Sequence, residues 1–402
     1  MLKTKLILER LDREGRLLER RCQPAKSFTR SFIELLYISH AQIQAASPYS
    51  MTDIDLLPRD VDSQGAGRYA KHNLRIGASP GLSPTRCEPG IDSVGYSYRV
   101  KILGCDLGIE VGVGTTAVTP TDRRLEQRIG HGRRPPDGAP AVFESYTTGD
   151  DNNSAPIYGT DRWTASAFMP AESHRITSVR VKIWKAAGDT PGNVTVLIQG
   201  PDAADDPRPS GVTLASGTIL EAAIPVDTPG DWVECTLATP VDLYAGHQYV
   251  IIVQALTGNS TNDVKWRTTD APTYKRCSAD TPSYFLYSMN AGVDWSTNPA
   301  YCFMFEDKGQ SVGEFEYGGC ELANILLTGL APHDGEFTIR RYFTNHCGQA
   351  VTVNEAGMTA AGTRYTTGYA WPFLIAHDIV APGVAVADGE LLRATYVPQI
   401  TV

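Results

Sequence analysis

The first forty residues change from a strand-like pattern to a helical one. Residues 3–20 begin with KTKLILERL, pass through a polar turn and continue with RLLER, which predicts a β-hairpin. Because Leu and Glu suit both states, a charged helix is the alternative there. Phe28, Phe32 and Leu35 then recur at helical spacing. We therefore predict a hairpin followed by one helix over 1–41.

The next segment shows no period. From 42 to 92 the chain is rich in Ser, Asp, Gly and Pro. A long segment without secondary structure is unusual inside a compact domain, so we predict an extended arm that lies on a neighbouring subunit. Strand-like patterns return over 93–140, mainly in SVGYSYRVKILG and LGIEVGVGTTAVTPTD.

A second series of strands occupies 141–310. Val179, Val181 and Ile183 alternate with polar residues, and further short apolar runs follow without intervening helices, each bounded by Pro, Gly, Asp or Asn. This spacing is typical of an antiparallel β-sandwich. The last segment, 311–402, again reads as strands. The predicted fold is mainly β: a β-sandwich host domain with one N-terminal helix, built from both chain ends and interrupted by an inserted β-sandwich.

Two parts of the host domain carry a specific pattern. The C-terminal part contains FTIRRYFTN, then V-x-E-x-G, LIAHD and a final strand with T-Y; the N-terminal part contains G-x-G-T-T-x-V-T-P-x-D-x-x-L. Together they resemble structural proteins of tailed-phage virions, over little more than half of the chain. The matching C-terminal residues are Phe337, Ile339, Arg341, Phe343, Thr344, Asn345, Val353, Glu355, Gly357, Leu374, Ile375, Ala376, Asp378 and Tyr396.

The resemblance implies a non-enzymatic virion component that is made in the host cytoplasm and assembles with copies of itself and with other virion proteins. Capsid decoration, collar and tail or spike positions all agree with it. The inserted segment is similar to jelly-roll modules of surface and secreted proteins that are described as carbohydrate-binding-like. The host-domain residues expected in the core or at an interface are Phe28, Phe32, Phe337, Ile339 and Phe343.

Charge and hydropathy narrow the class of partner. The chain has 36 basic and 45 acidic residues, a formal charge of −9, which argues against nucleic-acid binding through a broad basic face. Five arginines between 123 and 134 are interpreted as an inter-subunit ion-pair belt rather than a nucleic-acid contact. No run approaches the roughly 18 apolar residues of a membrane helix, and the charged N-terminus does not read as a signal peptide.

Reactive side chains form no recognisable catalytic motif. GIEVGVGTT is not followed by Gly-Lys-Ser/Thr, and neither Gly-x-Ser-x-Gly nor His-Glu-x-x-His occurs. His377 and Asp378 are adjacent in a strand and point to opposite faces. We therefore predict no enzymatic activity, with a polysaccharide-degrading enzyme as the weakest alternative. The eight cysteines read as buried thiols; a disulfide such as Cys277–Cys302 is the alternative outside a cell.

One weak metal signal lies at the start of the inserted segment. Asp150, Asp151 and Asn153 offer oxygen ligands to a calcium ion, but the spacing is not that of an EF-hand, and a solvated turn is the alternative. No other cofactor is predicted.

The tryptophans give a second weak signal. Trp163, Trp266 and Trp295 lie in polar contexts and could form a platform on which sugar rings stack, or they could brace the loops of a sandwich. Trp184 and Trp232 lie in strands patterned for a core and are predicted to pack inside. The platform would make the chain a receptor-binding or glycan-binding adhesin, which is the alternative to a purely structural role.

Overall fold

The chain is mainly β and contains one α-helix within the residues that the structure describes. It divides into two compact units. Unit 1 combines both ends of the chain, Met1–Pro136 and Ser311–Val402, and unit 2 is the segment Asp137–Gln310; the sequence placed the inserted segment at 141–310. The computed structural model describes residues 2–25, 28–41, 43–44, 46–62, 107–147, 153–203, 206–269, 285–298, 301–327, 334–364 and 369–401.

The elements are numbered in chain order. The first part of unit 1 contains β1 (Leu2–Leu11), β2 (Leu17–Ala25), α1 (Arg30–Ala41), β3 (Tyr49–Thr52), β4 (Pro58–Val61), β5 (Gly108–Gly112) and β6 (Gly130–His131). Unit 2 contains β7 (Ala141–Tyr146), β8 (Asn153–Ile157), β9 (Trp163–Phe168), β10 (His174–Trp184), β11 (Val194–Ala203), β12 (Asp206–Ile219), β13 (Asp231–Leu243), β14 (Tyr249–Gln254), β15 (Val264–Thr269), β16 (Phe285–Ser288), β17 (Ser296–Asn298), β18 (Cys302–Phe303) and β19 (Phe305–Gln310). The second part of unit 1 contains β20 (Glu314–Leu327), β21 (Asp334–Thr344), β22 (Val351–Arg364), β23 (Tyr369–Val386) and β24 (Leu391–Thr401).

A six-stranded sheet joins the two chain ends of unit 1. Its order is β2-β1-β24-β21-β20-β6, antiparallel except for the short pair β6–β20. β1 pairs with β24 from Leu2 to Leu11. The sequence predicted a hairpin here rather than a helix, and β1 and β2 form one. Its turn is closed by the Asp12 carboxylate, which accepts the backbone N–H of Arg16.

A second sheet, β23-β22-β5, carries the predicted helix. α1 packs against β23 and buries Leu35 and Ile38 completely. Both sheets contribute apolar residues to the core. Among the five residues expected in the core or at an interface, Ile339 and Phe343 are buried, and Phe28, Phe32 and Phe337 are half-buried.

The predicted arm over 42–92 is wrong for the part that the structure describes. β3 and β4 form a hairpin whose apolar residues Met51, Leu57 and Val61 are buried, and the Ile54 N–H donates to the Pro372 carbonyl of β23. The apolar residues are separated by aspartates that are themselves buried, so the segment has no period. Residues 63–92 of the predicted arm lie outside the described residues, as does the strand predicted near 93–104.

Unit 2 is one curled antiparallel sheet. Thirteen strands pair along the main path β17-β16-β9-β14-β11-β12-β13-β10-β15-β18, with β19, β7 and β8 attached to it. Its halves are joined by a short contact at Gly217 opposite Leu237, and one apolar cluster takes residues from both. The alternation read from Val179, Val181 and Ile183 places all three in this core. The unit is sandwich-like, whereas the jelly-roll topology stays a prediction.

Candidate functional site

Residues of the sequence pattern in both parts of unit 1 lie around one buried carboxylate, that of Glu355 in β22. Its Oε1 accepts the backbone N–H groups of Gly114 at 3.0 Å and Gln127 at 2.8 Å. Its Oε2 accepts the N–H of Glu126 at 3.0 Å and lies 2.8 Å from Nε2 of His377. The Glu355 side chain therefore contacts the backbone at Gly114, the backbone at 126–127 and the ring of His377. We call Glu355, His377, Asp122 and the backbone of 114–127 the Glu355 hub.

His377 bridges two carboxylates in this hub. Its Nδ1 lies 2.8 Å from Asp122 Oδ2, and its Nε2 faces Glu355. Carboxylate oxygens accept hydrogen bonds, so this arrangement favours a proton on each ring nitrogen of His377. Burial lowers the pKa of His377, but its hydrogen bonds and charge interactions with Glu355 and Asp122 outweigh burial and raise that pKa above its ordinary value.

Two glycines of GIEVGVGTT make room for the hub. A β-carbon at Gly112 would lie 2.3 Å from Glu355 Oε1, and one at Gly114 would lie 2.7 Å from the same atom. Glycine is needed at both positions because the carboxylate occupies the space that a side chain would fill. The glycines therefore serve packing, in agreement with the absence of a phosphate-loop context.

His377 and Asp378 contact different partners, as their alternation in β23 predicts. Asp378 Oδ2 accepts the hydroxyl of buried Tyr396 at 3.0 Å. Another residue of the pattern, Arg341, is buried and donates to the carbonyls of Leu107 and Ile109. The signal that could have found the hub was the pairing of an acidic residue with glycines on both sides of the insertion, but only the fold shows that they meet.

Unit 2 also encloses a histidine. His174 Nε2 lies 2.8 Å from Asp307 Oδ2, and its Nδ1 lies 3.0 Å from the Glu172 carbonyl oxygen. The ring stacks on Phe143 with 3.9 Å between centroids, and a β-carbon at Gly309 would lie 2.6 Å from it. An acceptor oxygen lies near each nitrogen, which favours the protonated ring. Burial lowers the pKa of His174, but the Asp307 carboxylate, the Glu172 carbonyl and the charge of Glu144 together outweigh burial and raise that pKa.

The predicted sugar platform is wrong for Trp266. Its indole is fully buried, donates its N–H to the Met304 carbonyl at 2.8 Å and stacks on Phe303 with 4.1 Å between centroids. Val264 and Trp266 share the inward face of β15, while Lys265 alternates to the other face. The alternation of VKWRT indicates that Trp266 faces inward with Val264, but the polar residues on either side of it suggested an exposed ring.

The expectation that Trp184 and Trp232 pack inside is met in part for Trp232, which is half-buried in β13 and packs against the core of unit 2. Trp184 is half-buried at an outward-facing position of β10. Lys265 Nζ lies 5.3 Å from the Trp184 ring, and the Arg180 guanidinium lies 5.6 Å from the Trp232 ring. Each tryptophan is adjacent in its strand to a buried apolar residue, Ile183 or Val233, so alternation places it on the opposite face.

Trp163 and Trp295 are brought together around Gly292. A β-carbon at Gly292, whose φ is +79°, would lie 2.7 Å from Trp163 Cζ3 and 3.6 Å from Trp295 Cζ2. Trp163 donates its indole N–H to the Gly159 carbonyl at 3.1 Å, and Trp295 donates to the Gly292 carbonyl at 3.0 Å. Both rings are half-buried, so each leaves part of its carbon surface exposed. We call these two residues and the loop 288–295 the tryptophan loop.

Hydrogen bonds within the tryptophan loop fix its shape. Ser288 Oγ accepts the N–H groups of Asn290 and Gly292, and Asn290 Oδ1 accepts the N–H of Asp294 at 2.9 Å. The Asn290 side chain also donates to Asp294 Oδ2 at 2.8 Å. Met289 and Val293 project from it and are 54% and 77% exposed.

The remaining predicted sites are placed as follows. Asp150 and Asp151 lie outside the described residues, and Asn153 is an exposed residue at the start of β8. Among the described residues, no group of three or more His, Cys, Asp or Glu side chains is placed to hold a metal ion. Cys302 is a buried free thiol, and Cys277 lies outside the described residues.

The arginines near 123–134 pair within their own unit. Arg123 lies 3.0 Å from Glu34, and Arg133 lies 2.5 Å from Glu316. These two arginines therefore have acidic partners within unit 1, and the inter-subunit belt stays a prediction.

The chain matches no protein-family model, and no curated protein matches it. In the part of the chain that the structure describes, no helix is long and apolar enough to cross a membrane. The resemblance to tailed-phage virion proteins therefore stays a prediction.

Proposed function

We propose that this chain is a non-enzymatic structural component of a tailed-phage virion. Unit 1 is the scaffold that assembles with copies of itself and with other virion proteins, and unit 2 is the module that it displays. The observation that carries the proposal is the Glu355 hub: the residues that resemble virion proteins in the two chain halves meet in one buried network, so the pattern marks a shared scaffold.

The chemistry of the hub supports a structural role. Both nitrogens of His377 face carboxylates at 2.8 Å, so neither is directed at a nucleophile in this network. The nearby hydroxyl of Thr119 donates to Asp122 at 2.6 Å, not to the histidine. The hydrogen bonds of the network join separate segments of unit 1, as expected of a structural element.

The junction between the units supports a display role for unit 2. Within unit 1, the Glu314 N–H donates to the Arg134 carbonyl at 3.0 Å, so the two ends of the interrupted domain are neighbours. Within unit 2, β7 pairs with β19, so the chain enters and leaves that unit on adjacent strands. Such an insertion can be exchanged without opening the scaffold.

The experiment is quantitative mass spectrometry of purified particles, with an abundant host protein as the baseline for contamination. Hundreds of copies for each particle support a capsid decoration, and between a few and a few dozen support a collar, tail or spike component. A level no higher than the contaminating host protein contradicts the proposal.

A matched variant tests the division of labour. Replacing 137–310 by a short Gly-Ser linker should leave a protein that still enters particles, because the ends at Arg134 and Glu314 are already in contact. Loss of the shortened protein from particles, with unit 1 still folded by circular dichroism, would contradict the assignment of assembly to unit 1.

A further inference from the structure

We infer that the tryptophan loop of unit 2 is a binding site for a neutral oligosaccharide. This goes beyond the structural role proposed above and does not depend on it. The inference rests on Trp163 and Trp295, which contact one glycine, and on the polar groups beside them.

The rings are oriented by the protein before any ligand arrives. Each indole N–H donates to a backbone carbonyl, of Gly159 for Trp163 and of Gly292 for Trp295. Because the polar end of each ring is already bonded, the part left exposed is carbon surface. Trp295 also packs in part against the core of unit 2, which limits how far its ring can turn.

The loop that carries the site is rigid. Ser288, Asn290 and Asp294 bond to one another and to the loop backbone, and the Ala291 N–H donates to the Thr160 carbonyl of the neighbouring turn at 2.7 Å. A preformed loop has little conformational entropy to lose when it binds. A rigid loop that exposes ring carbon is therefore suited to a weakly interacting ligand such as a sugar.

The surroundings of the rings select the class of ligand. A pyranose ring presents an apolar C–H face, which stacks on indole carbon, and hydroxyl groups, which need donors and acceptors. Asp161 and Asp294 are exposed and lie within two positions of Trp163 and Trp295 in the chain, and Arg162 lies between Asp161 and Trp163. Two carboxylates against one guanidinium among these neighbouring residues disfavour an anionic polymer and a nucleic acid.

The test is affinity electrophoresis of the full-length protein in native gels. Each gel contains one neutral polysaccharide, from a panel of dextran, yeast mannan, galactan and laminarin, and an alginate gel serves as the anionic comparison. At least one neutral polymer should retard the protein, and alginate should not.

Variants assign the retardation to the site. Trp295→Ala should weaken binding to the retarding polymer about tenfold, which corresponds to about 1.4 kcal/mol. Trp295→Phe keeps the contact with the core and should bind several-fold more weakly than the unmodified protein. The matched control is Trp232→Ala, since that ring is half-buried on the other half of the sheet; it should bind like the unmodified protein.

Three results would overturn the inference. They are retardation by no neutral polymer, retardation by alginate alone, and equal retardation of the unmodified protein and both Trp295 variants. If Trp295→Ala fails to fold by circular dichroism, Trp295→Phe decides, because unchanged affinity in that variant excludes the ring from the site.

Discussion

His377 in unit 1 and His174 in unit 2 are both buried, and the pKa of each is raised, but different partners surround them. His377 lies between two carboxylates, and one of these also binds three backbone N–H groups from a distant segment. His174 faces one carboxylate, one carbonyl and the ring of Phe143. In unit 1 a polar network thus joins distant segments in addition to the apolar core, whereas the buried histidine of unit 2 has no comparable network of backbone contacts among the described residues.

Removal of the Glu355 carboxylate should give the largest effect. Glu355→Ala removes the acceptor of three backbone N–H groups and one of the two carboxylates that face His377, so unit 1 should lose about 5 kcal/mol of its free energy of unfolding. Urea denaturation followed by hydrogen exchange of β22 peptides measures this loss. The control is Glu321→Ala, which removes a largely exposed pair with Arg340 and should cost below about 1 kcal/mol. A loss below about 1 kcal/mol for Glu355→Ala would show that the hub does not hold unit 1.

The equivalent change in unit 2 should cost less. Asp307→Asn removes the carboxylate that lies 2.8 Å from His174 Nε2, but the ring can then lose its proton, so we expect a loss of about 3 kcal/mol. Hydrogen exchange of β10 and β19 should rise, while that of β22 should not change. Equal destabilisation of both units would contradict their independence.

The two histidines should also make stability depend on pH. The pKa of each is raised in the folded state above its unfolded value near 6.5. Their contribution is therefore fully present below about pH 6.5 and is lost as the pH rises through the folded pKa. Hydrogen exchange of β10 and β22 peptides, corrected for intrinsic rate, should show both units becoming less stable on the alkaline side. His174→Asn should abolish this trend in β10 alone; an unchanged trend there would contradict the assignment.

The smallest expected loss of stability is that of a tryptophan on the outward face of the unit 2 sheet, compared with one on the inward face. Trp232→Ala removes a half-buried ring beside Arg180 and should cost about 1 kcal/mol. Trp266→Ala empties a fully buried position and should cost about 3–5 kcal/mol. Thermal unfolding of both variants provides the comparison, and equal costs would mean that the outward face is as tightly packed as the core.

The contrast between local alternation and contacts across the fold explains which elements could be predicted from the sequence. Alternation is local, so Val179, Val181 and Ile183 and the spacing of the first helix were enough to predict strands, a hairpin and a helix. The hairpin that contains Met51 was missed because its apolar residues are separated by buried aspartates, which are satisfied only by the fold.

The sites were less predictable than the elements. Polar neighbours suggested that Trp266 is exposed, whereas its position in β15 decides its burial. Trp163 and Trp295 lie close together because segments distant in sequence meet at Gly292. No local sequence pattern predicts that contact. The contacts of Glu355 join segments more than two hundred residues apart, beyond the range of any periodicity.

The Glu355 carboxylate occupies space that side chains at Gly112 and Gly114 would need, and this constrains how the chain can evolve. A lineage that replaced Gly112 first would place a β-carbon 2.3 Å from the carboxylate, so that order of substitution is closed. Shortening of Glu355 alone would not free either glycine, because a β-carbon at Gly112 would also lie 2.5 Å from the Gln127 carbonyl oxygen and one at Gly114 would lie 2.5 Å from Glu126 Cβ. Related sequences should therefore retain both glycines even where the acidic residue at 355 is shortened.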